Sequence, residues 1–375
     1  MDRYRNIAAA GGVAVLFLLI QFGALAMLTP GADAMQAVED PTDPTNSFIF
    51  IAILLLATGG MLLVFKYGKD KLIHWLIIGI SGLLVWTVLD ILLRTHLPSG
   101  TGTAGAVLTA VTLIIPIIGA VGAVAGLVYY PEWYVIDAVG VILGAGAVAI
   151  FGSSFGPLPA VIFLILLAVY DAISVYGTKH MLTLADNVMK MRVPVMLVVP
   201  TRRSFSLRDL ELDEMDHDDH SDSSEDSSAL SDDAETPAEE SNPVSDADEE
   251  TTLDPDCDDT TKDALPETDK QTEPADRNAI FIGLGDAVMP SILIVSSLAF
   301  HGAVGPGVYS IGAVALNLPA IGTLLGTLVG LAILLAMVLR GRAHAGLPLL
   351  NGGAIIGFFL GAYAAGLTPA DALLV

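Results

Sequence analysis

Ala279-Ile280-Phe281-Ile282-Gly283-Leu284-Gly285-Asp286 opens an apolar stretch, Ala279 to Phe300, that is long enough to cross a bilayer and carries a carboxylic acid inside it. An ionisable group in such a place is costly and needs a partner or a task. The preceding apolar stretch, Leu158 to Gly177, holds a second acid, Asp171, directly after Tyr170. Two long apolar stretches, each interrupted by one carboxyl, point to an all-α membrane protein with a polar site inside it.

The rest of the chain has the same character. Of 375 residues, 53% are hydrophobic, and they come in long blocks rather than at amphipathic spacing. Spans of about 20 apolar residues fall near Ile7 to Leu28, Phe48 to Phe65, Leu72 to Leu93, Ala104 to Tyr129, Trp133 to Phe151, Leu158 to Gly177, Ala279 to Phe300, Leu318 to Leu339 and Gly346 to Leu367. The count is nine transmembrane helices. The run from Val308 is too long for one crossing, and Pro319 suits the start of the eighth span. Ile7 to Leu28 follows Arg3 and Arg5 and exceeds a signal-peptide core, so it reads as a retained anchor.

With nine spans, Arg3, Arg5, Lys66, Lys69, Lys71, Lys179, Lys190, Arg192, Arg202, Arg203, Arg340 and Arg342 share one side. By the positive-inside rule the N-terminus is cytoplasmic and the C-terminus extracytoplasmic, in a multi-pass protein of the cell membrane. Arg94 is the one exception, and Asp90 one turn earlier is its expected partner.

The formal net charge of -24 belongs mostly to one segment, since about two-thirds of the acids lie between Asp209 and Asp276. The organisation is therefore 1–177, transmembrane helices one to six; 178–203, an interfacial segment with a short strand at Val193 to Pro200; 204–277, an acidic disordered cytoplasmic loop; and 278–375, helices seven to nine. The acidic loop suits a very salty cytoplasm, as in a halophilic archaeon. Nothing in the charge pattern points to nucleic acid. Cys257 is the lone cysteine, which excludes an intrachain disulfide, and the histidines show no ligand spacing, so neither metal nor cofactor is expected. Asp137 falls in the first turns of the fifth span, where the helix dipole favours negative charge.

Depth can be compared because the sixth span runs inward and the seventh outward. At ~1.5 Å per residue, Asp171 lies ~12 Å before Lys179 and Asp286 ~13 Å after Arg277, so the carboxyls are expected at one level. Two such groups in a low-dielectric site hold one proton between them. The charged member can then take a proton from water while the neutral one polarises a peptide carbonyl, as amide hydrolysis requires. Gly283 and Gly285 allow a helix or an extended substrate to approach Asp286, and Tyr170 supplies a phenolic hydroxyl. Paired membrane acids also suit a proton- or cation-coupled transporter or channel, although no internal repeat supports that reading.

Tyr170-Asp171 and Gly283-Leu284-Gly285-Asp286 resemble the two signature motifs of the presenilin and signal peptide peptidase family of intramembrane aspartyl proteases. A third motif of that family, Pro-Ala-Leu, is matched by Ala345-Gly346-Leu347 followed by Pro348, with Ala345 and Gly346 in place of the family proline and alanine. The resemblance implies catalytic roles for Asp171 and Asp286, with Tyr170, Gly283, Leu284, Gly285, Ala345, Gly346, Leu347 and Pro348 supporting the site or receiving substrate. It implies a cut in single-span membrane proteins or signal-peptide remnants within the bilayer. The strand at Val193 to Pro200 resembles a segment placed beside substrate in that family. Prepilin-type peptidases also carry Gly-x-Gly-Asp, but Tyr-Asp and the ninth-span Leu-Pro fit them less well. By helical rise Leu347 lies ~8 Å past Arg342, somewhat shallower than the acids.

Overall fold

A computed structural model describes residues 2–28, 36–66, 70–97, 102–174, 196–201, 279–302, 309–311, 314–339 and 345–374. The chain divides into two units, one of 1–209 with 277–375 and one of 210–276. The second unit, with Cys257 and almost all of the acidic loop, lies outside the described residues, as do the interfacial stretch 178–191 and Val193 to Val195.

The described part is mostly helical: α1 Asp2–Met27, α2 Thr45–Lys66, α3 Asp70–His96, α4 Gly102–Tyr129, α5 Trp133–Ser154, α6 Pro157–Ile173, α7 Leu284–His301, α8 Leu318–Val338, α9 Gly346–Ala364 and α10 Pro369–Leu373. Among the described residues seven helices are long and apolar enough to cross a membrane, and α6 and the apolar part of α2 are shorter. Asp90 and Arg94 pair on α3 at 2.7 Å, as their spacing predicts.

Four short strands accompany the helices: β1 falls within the strand expected at Val193 to Pro200, and the other three depart from the all-α expectation. β1 Met196–Pro200 pairs antiparallel with β2 Ala279–Gly283, and β3 Tyr309–Ile311 with β4 Val314–Leu316. The β3–β4 hairpin occupies part of the run from Val308 that is too long for a single crossing. The first five residues of the expected seventh span are thus strand, not helix. Ile280, Phe281 and Ile282 favour a pleated backbone, Met196–Pro200 supplies the hydrogen bonds, and Gly283 turns the chain from strand into α7.

The helices that carry the site are held by specific contacts. α8 and α9 approach through Gly322, Gly326 and Gly330 on one and Gly353, Gly357 and Gly361 on the other. A Cβ at Gly326 would strike the Gly353 carbonyl oxygen, and one at Gly357 the Gly322 carbonyl oxygen. Small residues at four-residue spacing bring membrane helices into backbone contact in this way. Asn317 caps α8 by accepting from the Ala320 N–H at 2.9 Å and donates to the carbonyls of Ser297 and Gly302, fastening the end of α7 to the start of α8. Asn351 Nδ2 donates to the Leu164 carbonyl at 3.0 Å, tying α9 to α6. Phe17, Ile20, Ala287, Ile294, Leu331 and Leu350 belong to the core, each at most 1% exposed.

Candidate active site

Asp171 lies two residues before the end of α6 and is buried. Asp286 is the third residue of α7, in the first turn, and is partly buried. Its place follows from the strand-to-helix junction: Gly283 ends β2 in an extended conformation, and the helix starts at Leu284. The N-terminal turn of a helix favours negative charge. Leu284 points the other way, with its Cδ1 against Gly144 of α5, so it anchors the junction in the core.

The start of α9 joins the two acids. Ala345 is its N-cap, buried and extended at φ -63° and ψ 121°. The first N–H groups of a helix have no partner within it, and the Leu347 N–H donates to Asp171 Oδ2 at 3.2 Å. Its neighbour Gly346 faces the other acid: a Cβ built there would lie 3.5 Å from Asp286 Oδ2 and 3.4 Å from Leu334 Cδ2. Pro348, without an N–H, leaves no further donor to satisfy at the next position. Two consecutive residues of α9 thus meet two carboxyls from two other helices.

Leu347 is therefore level with Asp171 rather than shallower. Ala345 is extended and α9 begins only at Gly346, so helical rise counted from Arg342 does not give the depth of Leu347. Ala279–Gly283 rises as strand, so helical rise counted from Arg277 does not give the depth of Asp286 either. The acids come together through the packing of α6, α7 and α9 on one another, not through equal helical rise.

The remaining predicted residues divide. Gly283 lies against the acid, a Cβ there falling 3.5 Å from Asp286 Oδ2, whereas Gly285 is exposed with open space where a Cβ would go. Tyr170 is partly buried, and among the described residues no hydrogen bond joins its hydroxyl to either carboxyl. Asp137 is buried and accepts the Val198 N–H of β1 at 2.7 Å. Its expected role was with the dipole of its own helix, and the bond to the strand expected at Val193 to Pro200 was not foreseen. An acid within an apolar span, with no basic residue in the preceding turn, was the available signal.

Two carboxyls that reach consecutive residues at the start of one helix, with a backbone N–H held against one of them, are the arrangement that an aspartic protease built for the bilayer calls for. A family profile described as "Signal-peptide peptidase, presenilin aspartyl protease" matches residues 14–367. The chain belongs to that family, and it is an aspartic-type endopeptidase of the intramembrane kind. It is similar to a solved presenilin family intramembrane aspartate protease, at 30% identity over 95% of this chain and 99% of that one, with a TM-score of 0.56. Similarity to a second crystal form under the same description is 32% over 94% and 97%, with a TM-score of 0.54. A comparison with curated proteins returned no match.

Proposed function

We propose that the chain hydrolyses peptide bonds of single-span membrane proteins or signal-peptide remnants, with Asp171 and Asp286 as its catalytic pair. The observation that carries this reading is the joint contact of Gly346 and Leu347 with the two acids. A pair sharing one proton lets the charged carboxyl take a proton from water as the water oxygen bonds to the scissile carbonyl carbon. The neutral carboxyl meanwhile donates to the carbonyl oxygen. Collapse of the tetrahedral adduct breaks the C–N bond, and the proton passes to the departing amine. Any titration belongs to the pair and not to one residue.

Nine spans, with α2 and α6 counted among them, place the N-terminus in the cytoplasm of the cell by the distribution of Lys and Arg. A substrate helix unwinds and adds as an edge strand to the sheet that the expected Val193 to Pro200 strand forms with β2, on the side of β2, the element that runs directly into Asp286. Phe281, the middle residue of β2, is 40% exposed and leaves room for that partner. Gly285 supplies open space next to the acid.

The test incubates the purified, detergent-solubilised protein with a membrane-spanning peptide, with and without a transition-state mimic of aspartyl proteolysis. Cleavage blocked by the mimic is expected. An intact peptide, together with proton or cation flux in vesicles that is lost in the Asp286→Ala protein, would replace the protease reading with a transport one.

A further inference from the structure

β1 is seated in a place built for it. Val199 packs on α1 where Gly12 has no side chain; a Cβ there would lie 2.8 Å from Val199 Cγ1. Leu197 packs on α5 where Gly140 is equally bare, its Cδ2 3.2 Å from the place of a Cβ. Three residues before Gly140, Asp137 turns its buried carboxylate to the strand and takes the Val198 N–H at 2.7 Å. A carboxylate inside an apolar bundle is costly to keep, and a bond from charged acceptor to backbone is among the stronger ones.

The direction of that bond fixes the hydrogen-bonding parity of the sheet. Val198 is paired with Phe281. Because its N–H leaves the sheet toward Asp137, Val198 and Phe281 are a pair that exchanges no ladder bonds, and the flanking pairs, Leu197 with Ile282 and Val199 with Ile280, carry them. The outer edge of β1 is then closed twice, at Val198 by Asp137 and at Pro200 by the absence of an N–H. On the far side, the N–H and C=O of Phe281 point away from β1. That edge leads within five residues to Asp286.

We propose that Asp137 is a positioning residue of the protease. By holding Val198 it closes one edge of the β1–β2 pair and fixes the sheet's height on α5, so that a substrate strand adds only along β2 and in one register. Since side chains along a strand alternate, a slip of one residue presents a different peptide bond and the opposite face. This inference rests on the protease reading, and it concerns which bond is cut rather than whether cutting occurs.

The experiment maps products of a membrane-spanning peptide by mass spectrometry and measures kcat and KM for the parent protein and for Asp137→Asn, Asp137→Leu and Val198→Pro. Asparagine keeps an acceptor oxygen, so its product pattern should match the parent's. Asp137→Leu and Val198→Pro break the same bond from opposite sides, and proline is tolerated where the N–H faces out of the sheet. Both should spread cleavage over neighbouring bonds and raise KM about fivefold or more, equivalent to about 1 kcal/mol, with kcat less affected. If one of the two fails to fold, the other carries the test. A parent-like pattern and KM in either folded variant, or a spread pattern in Asp137→Asn, overturns the proposal. A parent protein that cuts nothing fails the protease reading instead.

Discussion

Gly346→Ala introduces the alanine of the Pro-Ala-Leu motif that Ala345-Gly346-Leu347 resembles, and the site's geometry sets its effect. The new methyl would sit 3.5 Å from Asp286 Oδ2, 3.6 Å from Asp286 Cγ and 3.4 Å from Leu334 Cδ2, all ordinary contact distances. It removes no donor, because the bond to Asp171 comes from the Leu347 N–H. Replacing glycine by alanine at the first residue of α9 reduces the freedom of the unfolded chain and should stabilise by about 0.4–1 kcal/mol. Gly346→Leu sends further carbons into the space of Asp286 and Leu334. Overpacking of that kind costs about 1–3 kcal/mol, and displacing a reacting group by about 1 Å costs about 100-fold in rate. Thermal unfolding in detergent and cleavage of a membrane-spanning peptide measure both effects. The alanine protein should be slightly more stable and cut within about tenfold of the parent rate; the leucine protein should be nearly inactive. An inactive alanine protein, or a leucine protein as fast as the parent, would refute the placement of Gly346 against Asp286.

Leu347→Pro deletes the N–H that Asp171 accepts while leaving a residue the first turn of a helix tolerates. A lost bond to a charged group of about 1.5–3 kcal/mol predicts about a 10- to 100-fold fall in kcat/KM with the fold retained. Gly326→Leu would drive a side chain into the Gly353 backbone and push α9 off α8. Because α9 carries Gly346 and Leu347, both thermal stability and cleavage should fall, and a stable, active variant would show that the close approach of α8 and α9 does not position the site. At the C-terminal end, Asp371 accepts from the Thr368 hydroxyl and N–H in a capping box, which holds its carboxyl below the usual range. A folded-state value below the unfolded one stabilises α10 above the ordinary carboxylate pKa of about 3.9 and ceases to do so as pH falls through the lowered value. Exchange protection of the Ala372 amide should hold from neutrality to about pH 4 and decline only below it; loss between about pH 7 and 5 would contradict the capping role.

The helical framework was legible because long apolar blocks leave few other structures in a bilayer. The two acids were legible because charge is rare in such blocks. Less visible was anything that depended on which segments meet. Ile280-Phe281-Ile282 is apolar enough for a membrane helix, and only pairing with Met196–Pro200, about 80 residues earlier in the sequence, makes it a strand. The sequence marked the first partner and not the second. Asp137 was referred to its own helix for the same reason, since Val198 is 61 residues away. Gly346 and Leu347 were placed by counting rise along a helix that begins only at Gly346. Local periodicity carries none of these relations. They follow from packing between α1, α5, α6, α7 and α9, with glycines at Gly12, Gly140 and Gly346 marking the close approaches.

The pairing of Asp171 with Asp286 is tested most directly by cleavage of a single-span reporter in membranes containing the Asp171→Ala or the Asp286→Ala protein, with insertion checked in parallel. Both proteins should insert as the parent does, and neither should yield product. A normally inserted variant that still cut the reporter would remove its aspartate from the catalytic pair and contradict the account.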